Sequence, residues 1–405
     1  MSARPPLSAR LVLHMLSSVR IGTLHLTTPD GDVKTFGAPS GEHLTAEIRL
    51  FRWRALERAL RRGDIGFGES YIDAEWSSPN LAALLTLLAA NRESLEAAII
   101  GSRWALKLDR LLHLLRRNTL KQARKNIRAH YDLGNEFYRL WLDPTMTYSS
   151  ALFEASELVP EALGRLEEAQ KRKMRRALDA LGPLTHDSLT LEIGCGWGGF
   201  AVERLQRPGR HVGVTLSAEQ KGWADHLLSS CGLGDRAEIR LQDYREVGGQ
   251  FDGIVSVEML EAVGEAYWPT YFNKIFECLR PGARAVIQVI VIRDALFPAY
   301  RRGHDFIQKY IFPGGMLPSP IGLRAVARGA GLDLIDMFSF GLHYAKTLAA
   351  WLVRFNAQEQ AIRSLGFDDR FLAMWRFYLA YCQAGFSCED LNVIQVTLAR
   401  PEGRA

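Results

Sequence analysis

Cysteine is scarce in this chain: there are five in 405 residues, an odd number without the paired spacing of a metal knuckle. That argues against a disulfide framework and a structural zinc site, and it fits reduced thiols in a cytosolic compartment. Long apolar runs are missing too. The stretch LTLLAANRESLEAAII is interrupted by Asn91, Arg92, Glu93 and Glu96, so it falls short of the roughly 18–20 apolar residues of a membrane span. The opening MSARPPLSARLVLHML has too short an apolar stretch, and no small-residue cleavage site, for a secretory leader. Internal repeats and low-complexity tracts are absent. What remains is an ordinary globular composition, 47% hydrophobic and 23% charged. The chain exceeds a single typical core, which predicts one large domain and a smaller one.

Acidic residues are nearly lacking between Arg103 and Arg128. Nine basic residues (Arg103, Lys107, Arg110, Arg116, Arg117, Lys121, Arg124, Lys125 and Arg128) stand against Asp109, a local balance of +8 within a chain of net +5. Trp104, Leu108, Leu111, Leu112 and Leu115 recur on one helical face. A basic amphipathic helix suits an anionic membrane surface, nucleic acid, or a solvated interdomain position. Nucleic acid is disfavoured, because no aromatic residues interleave the basic surface.

Local patterns give the order of elements. IGTLHLTT followed by PDGD predicts a strand and hairpin turn, and LTAEIRLF a further strand. Beyond Ser78 the pattern turns helical to about Arg128. RLEEAQKRKMRRALDAL reads as a strongly charged helix stopped by Gly182-Pro183. Strand and helix then alternate: SLTLEIG, GGFAVERLQ, HVGVTLS, AEQKGWADHLLSS, AEIRLQD, FDGIVSVEM, YWPTYFNKIFECL, a turn at Arg280-Pro281-Gly282, and ARAVIQVIVI. Near-continuous apolar strands between helices predict an α/β fold with a doubly wound, mostly parallel sheet covered on both faces. The smaller N-terminal unit reads as α+β.

LEIGCGWGGFA places Gly194, Gly196, Gly198 and Gly199 in the first strand-to-helix turn, where a ligand binds at a sheet's switch point. The spacing is GxGxGG, not the GxGxxG of dinucleotide sites, and the next strand ends in Thr215-Leu216, not in an acid for a ribose. An acidic or amide residue near the end of each successive strand, in VTLSAEQ, LQDYRE and FDGIVSVEMLEAVG, is the pattern of class I S-adenosylmethionine (SAM) methyltransferases.

HYDLGNEFYRLWLDPTMTYSSALF (130–153), LEIGCGWGGFA, GVTLSAEQ, LQDYRE, SVEMLEAVG, FIQKYIFPGGMLP and FGLHYAKTLAAWLVRF together resemble the cyclopropane-fatty-acyl-phospholipid synthase family over roughly 120–400. GFGESYIDAEWSS resembles that family's N-terminal domain more loosely. The resemblance implies an N-terminal domain over 1–120 that carries the basic helix. It implies a SAM-dependent catalytic domain with an acyl-chain channel over 121–405. It further implies SAM contacts from Tyr148, Ser149, Gly194, Gly196, Thr215, Leu216, Gln220, Asp243 and Tyr244. Thr215 and Gln220 would serve the ribose, Asp243 the adenine amine, and Tyr244 the ring.

The chemistry the resemblance implies is methyl transfer to a double bond in a phospholipid acyl chain. The alkene attacks the sulfonium methyl, and a base then removes a proton to leave a cyclopropane or a methyl branch. The family's base resembles a bicarbonate ion. Carried onto this sequence, its holders are Glu261, Gln288, Tyr344 and the backbone at Ser150 and Ile290, with Glu261, Gln288 and Tyr344 as the catalytic set. Two positions depart from the family pattern: Gln288 stands where a histidine is usual and Ser150 where a cysteine is. Gln288 can donate to an anion but carries no charge. Glu261 as a helix cap and Tyr344 as a core tyrosine are the plain structural alternatives. His130, His343 and Cys382 read as structural, and Asp305, Gln308 and Tyr310 flank a Pro-Gly-Gly turn. The implied partners are unsaturated phospholipid acyl chains and, transiently, an anionic membrane surface at the cytoplasmic face. No metal and no nucleic acid are expected, and the family suggests a homodimer. A SAM methyltransferase for a soluble small molecule is the alternative.

Overall fold

A computed structural model describes residues 5–37, 44–97, 133–154 and 159–403. The basic stretch 103–128 and His130 lie outside the described residues. The chain divides into two compact units: Met1–Leu115 with Arg302–Ile311 and Glu359–Glu389, and Arg116–Arg301 with Phe312–Gln358 and Asp390–Ala405. The expected domain boundary at 120 also falls outside the described residues.

The first unit holds a four-stranded sheet in the order β2-β1-β3-β4, with β1 Thr23–Thr27, β2 Val33–Gly37, β3 Thr45–Leu50 and β4 Trp76–Ser77. Alternation makes these strands. Leu24 and Leu26 of β1, and Ala46, Ile48 and Leu50 of β3, point to one buried face. The predicted hairpin joins β1 to β2, closed by Thr28 N–H to Asp32 O at 2.8 Å. Helices Arg54–Ile72 and Leu81–Ala90 each pack against helix Asp369–Ser387. In the first of these, GFGESYI supplies a close approach: a Cβ on Gly68 would lie 2.6 Å from the Phe306 ring and 2.8 Å from Phe377.

The second unit is the predicted doubly wound sheet. Its order is β10-β11-β9-β8-β5-β6-β7, with β5 Leu189–Ile193, β6 Arg210–Thr215, β7 Ala237–Leu241, β8 Phe251–Val257, β9 Leu279–Ile292, β10 Asp333–Ser339 and β11 Leu391–Ala399. β7 through β9 run parallel, and β11 lies antiparallel between β9 and β10. The order reverses at β5, which has β6 on one side and β8 on the other. The crevice beyond the carboxyl ends of β5 and β8 is therefore the expected ligand position. Arg280-Pro281-Gly282 corrects one expectation. It is no separate turn but the start of β9, with Gly282 at φ +79. The β8–β9 register slips there, between Phe251↔Leu279 and Gly253↔Arg284, as in a bulge that absorbs extra residues.

Helix Val159–Leu181 crosses this unit against helix Gly341–Ala357 and β9. Its buried positions, Leu166, Ala169, Gln170, Lys173, Met174, Ala177, Leu178 and Leu181, form the i, i+3, i+4 stripe of a core-facing helix. Two polar residues stand in that stripe, and both reach the site.

Candidate active site

The loop after β5 separates its glycines by task. Gly194 and Cys195 both donate their N–H to Val214 O at 3.0 Å, tying the loop to β6. Gly198 and Gly199 are needed for packing, since an added Cβ would meet Ala224 Cβ at 2.9 Å or Thr145 O at 2.6 Å. Gly196, at φ +50, faces open space with nothing within 4 Å. It borders a cleft of about 1040 Å³, counting the space at its mouth.

Tyr148, Ser149, Gly194, Gly196, Thr215, Leu216, Gln220 and Tyr244 all line this cleft. Thr215 Oγ1 donates to Gln220 Oε1 at 2.8 Å, an orientation that turns the Gln220 amide N–H₂ away from Thr215. The Tyr244 hydroxyl is buried without a hydrogen-bond partner among the described residues, and burial raises its pKa to about 12. A buried orphan donor is costly unless a ligand satisfies it, so these residues fit a polar nucleoside. Asp243 is not among the lining residues. It is fully buried, and both its oxygens hold the Arg245 guanidinium at 2.9 Å. Its observed task is to fix that turn.

The residues expected around an anion fall into two groups. Ser150 N–H (2.9 Å) and Gln288 Nε2 (2.7 Å) both donate to Oε1 of Glu258, and the Tyr344 hydroxyl donates to its Oε2 at 2.7 Å. Glu261 stands apart: its Oε1 accepts from Ile290 N–H at 2.6 Å, and its Oε2 has no hydrogen-bond partner among the described residues. Burial and the nearby Glu258 push its pKa up to about 8, against the opposing Ile290 N–H. Gln288 is aimed from behind. Gln395, its partner across β9–β11, donates to Gln288 Oε1 at 3.1 Å, and Arg176 donates to Gln395 at 2.8 Å. This ordering presents the amide N–H₂, not its oxygen, to Glu258.

Sequence reasoning missed Glu258 and Lys173. Glu258 ends β8 at φ +50 and lines the cleft, whereas Gln288, Tyr344 and Glu261 do not line it. Lys173 is fully buried, donates to Ser149 Oγ at 2.6 Å, and lies within electrostatic range of Glu258, Asp143 and Glu192. Burial lowers its pKa to about 8, those three carboxyls opposing the shift. The periodic stripe of its helix was the available signal. For Glu258 the signal was a second acid in SVEMLEAVG, three residues before the one chosen. His343, read as structural, accepts at Nδ1 from Phe153 N–H at 3.0 Å.

Aromatic rings connect the cleft with the carboxylates. Tyr148 lies 5.6 Å from Tyr138, 5.6 Å from Trp141 and 5.3 Å from Trp351, and Trp351 lies 6.1 Å from Tyr344. Such faces favour a cation over its neutral form. Among the described residues no cluster of histidine, cysteine and acids could hold a metal, and no helix is long and apolar enough to cross a membrane.

Comparison with known proteins agrees with this geometry. A family profile described as mycolic acid cyclopropane synthetase matches residues 118–396. Tuberculostearic acid methyltransferase UfaA1 of Mycobacterium tuberculosis is 43% identical over 366 residues, 87% of this chain and 82% of that protein. Cyclopropane-fatty-acyl-phospholipid synthase of Escherichia coli strain K12 is 33% identical over 359 residues, 88% of each. Among solved structures, mycolic acid cyclopropane synthase CmaA1 complexed with SAH and CTAB superposes with a TM-score of 0.62 at 29% identity, covering 68% of this chain and 98% of that one. The sheet order, the glycine turn and these matches together make the chain a SAM-dependent methyltransferase belonging to the mycolic acid cyclopropane synthetase family.

Proposed function

We propose that the chain methylates the double bond of an unsaturated fatty acyl chain in a membrane phospholipid. The observation that carries this reading is a half-buried carboxylate, Glu258, at the edge of the SAM cleft, beside a belt of aromatic rings. SAM supplies an electrophilic methyl group. An alkene needs no base to become a nucleophile; it needs an environment that tolerates a cation and a base that acts afterwards. Oxygen or nitrogen acceptors would call for the reverse order. The aromatic belt from Tyr148 to Trp351 answers the first need by cation–π attraction and by excluding water.

Removal of a proton from the new methyl carbon closes a cyclopropane, which is our first reading of the product. A hydride shift to the cationic carbon before that proton is lost leaves a methylene branch, which a separate reductant would turn into a methyl branch, and the 43% identity to a tuberculostearic acid methyltransferase favours that second reading. Binding to an anionic membrane surface through the basic stretch 103–128 completes the proposal. The test is to incubate the purified protein with SAM and vesicles of an unsaturated phospholipid, then analyse the released fatty acids by mass spectrometry and NMR. The expected product carries one added carbon at the former double bond, with cyclopropane protons or exomethylene protons deciding between the readings. Faster methylation of water-soluble acceptors than of vesicles would overturn it.

A further inference from the structure

Glu258 holds the place that the family resemblance gives to a bicarbonate ion. The implied holders of that ion offer four donors, and all are already engaged by the chain's own carboxyl groups. Ser150 N–H, Gln288 Nε2 and the Tyr344 hydroxyl bond Glu258 at 2.9, 2.7 and 2.7 Å, and Ile290 N–H bonds Glu261 at 2.6 Å. A bicarbonate placed there would find no free donor in this set and would lie against two half-buried carboxyls. The residues present do not fit the ion.

The backbone fixes the same arrangement. Glu258 donates its N–H to Gln288 O at 2.8 Å and adopts φ +50, a conformation that L residues seldom take and that glycine takes freely. That turn brings the side chain back onto Gln288, the residue its own backbone is bonded to. Burial raises the Glu258 pKa, opposed by the nearby Lys173 ammonium and by three hydrogen-bond donors that favour the ionised form. In that form its negative charge sits among rings and donors, as the bound anion's would.

We propose that the Glu258 carboxylate is the general base of this enzyme and replaces bicarbonate. The inference rests on the reading of the site as one that methylates an acyl double bond. Once the alkene electron pair has formed the new C–C bond, the acyl chain carries a carbocation. A Glu258 oxygen takes a proton from the new methyl carbon. That C–H electron pair bonds the cationic carbon and closes the cyclopropane; where a hydride has first shifted from the methyl-bearing carbon to the cationic one, the same pair becomes the C=C bond of a methylene branch. Glu258 becomes a neutral acid and returns its proton to water before the next turnover. No other reactant is needed.

The experiment measures vesicle methylation in buffer stripped of carbon dioxide and again with added bicarbonate, for the wild type, Glu258→Gln and Glu258→Gly, with SAM affinity measured by calorimetry on each. The wild type is expected to turn over equally in both buffers. Glu258→Gln, which keeps the shape and loses the basicity, is expected to lose about 100-fold or more in kcat, the usual worth of a positioned base, with SAM affinity changed by less than about threefold. Glu258→Gly, which suits the φ and opens the anion site, is expected to gain a bicarbonate dependence that the wild type lacks. A wild type that needs bicarbonate overturns the proposal. So does a Glu258→Gln that turns over within about threefold of wild type, or one that loses SAM affinity as steeply as turnover. A SAM-competent Glu258→Gly that stays inactive in bicarbonate overturns it as well. Failure of the wild type to methylate vesicles in either buffer would instead fail the underlying reading of the substrate.

Discussion

Lys173 sets the charge of the site, and its ammonium donates to Ser149 Oγ. Burying an ammonium is costly, and three nearby carboxyls offset that cost. Removing it should be felt at Glu258, whose ionised form Lys173 favours. With Lys173→Met the Glu258 carboxyl holds its proton more tightly, so at neutral pH less of the enzyme carries a free base. The acid limb of the kcat/KM profile is expected to move to higher pH, with turnover at neutral pH down by roughly tenfold. A pH-rate series on vesicles checks this. A profile that drops evenly without moving would make Lys173 a packing residue alone. Lys173 was legible in principle: Leu166, Ala169, Gln170, Lys173, Ala177 and Leu181 share one buried stripe. The crowd of charges in RLEEAQKRKMRRALDAL hid that period, because composition is counted without regard to face. Glu258 was less legible. Its position follows from a left-handed backbone and from Gln288 of the neighbouring strand, and neither shows in the order of letters.

At the scale of elements, the alternating strands and helices from SLTLEIG onward were readable because each carries a local period, whereas helices Leu7–Leu16 and Arg54–Ile72 were not read. Helix Ala218–Ser230 coincides with its predicted stretch, and the Ser217 side chain caps it by accepting from Gln220 N–H. β9 was misread at its start, since Pro-Gly is a turn signal that a bulge can also use. The short helix Phe306–Tyr310 shows how one polar residue makes an element. Asp305 caps it in a capping box with Gln308, and neighbouring Asp64 accepts from Phe306 N–H at 3.0 Å and from the Tyr381 hydroxyl at 2.9 Å. Burial and the nearby Asp64 push the Asp305 pKa from 3.8 to about 7. Between those values the folded chain binds a proton that the unfolded chain releases, so this residue's contribution to stability falls as pH rises through the window and is lowest above 7. Asp305→Asn keeps a capping oxygen and removes the titration. Its melting temperature is expected to exceed wild type by at least about 2 °C above pH 7. The gain should disappear below pH 3.8, where both forms are neutral. Thermal melts across that range are the check.

At the scale of the whole chain, local signals find segments but not their allegiance. The helices of Glu359–Glu389 and the Arg302–Ile311 segment group with the N-terminal sheet, yet an amphipathic helix pattern does not say which core it will join. Charge is the opposite case, because it acts through sums that the sequence prints directly. Nine basic residues against one acid between Arg103 and Arg128 give a local field that anionic lipid attracts, at about 1 kcal/mol for each basic residue near the surface. Changing Lys121, Arg124, Lys125 and Arg128 together to glutamine should therefore weaken vesicle binding by a few kcal/mol, on the order of a hundredfold or more in partition. SAM affinity, measured by calorimetry on the same variant, separates a loss of membrane attraction from a loss of cofactor binding. Wild-type binding should also weaken as salt shortens the reach of each charge to about a Debye length, and the quadruple variant should lose most of that salt dependence. Cosedimentation with vesicles of graded anionic content, at low and high salt, measures both. If the variant binds as the wild type does and responds to salt in the same way, attraction to the membrane does not reside in this stretch, and docking must come from another face.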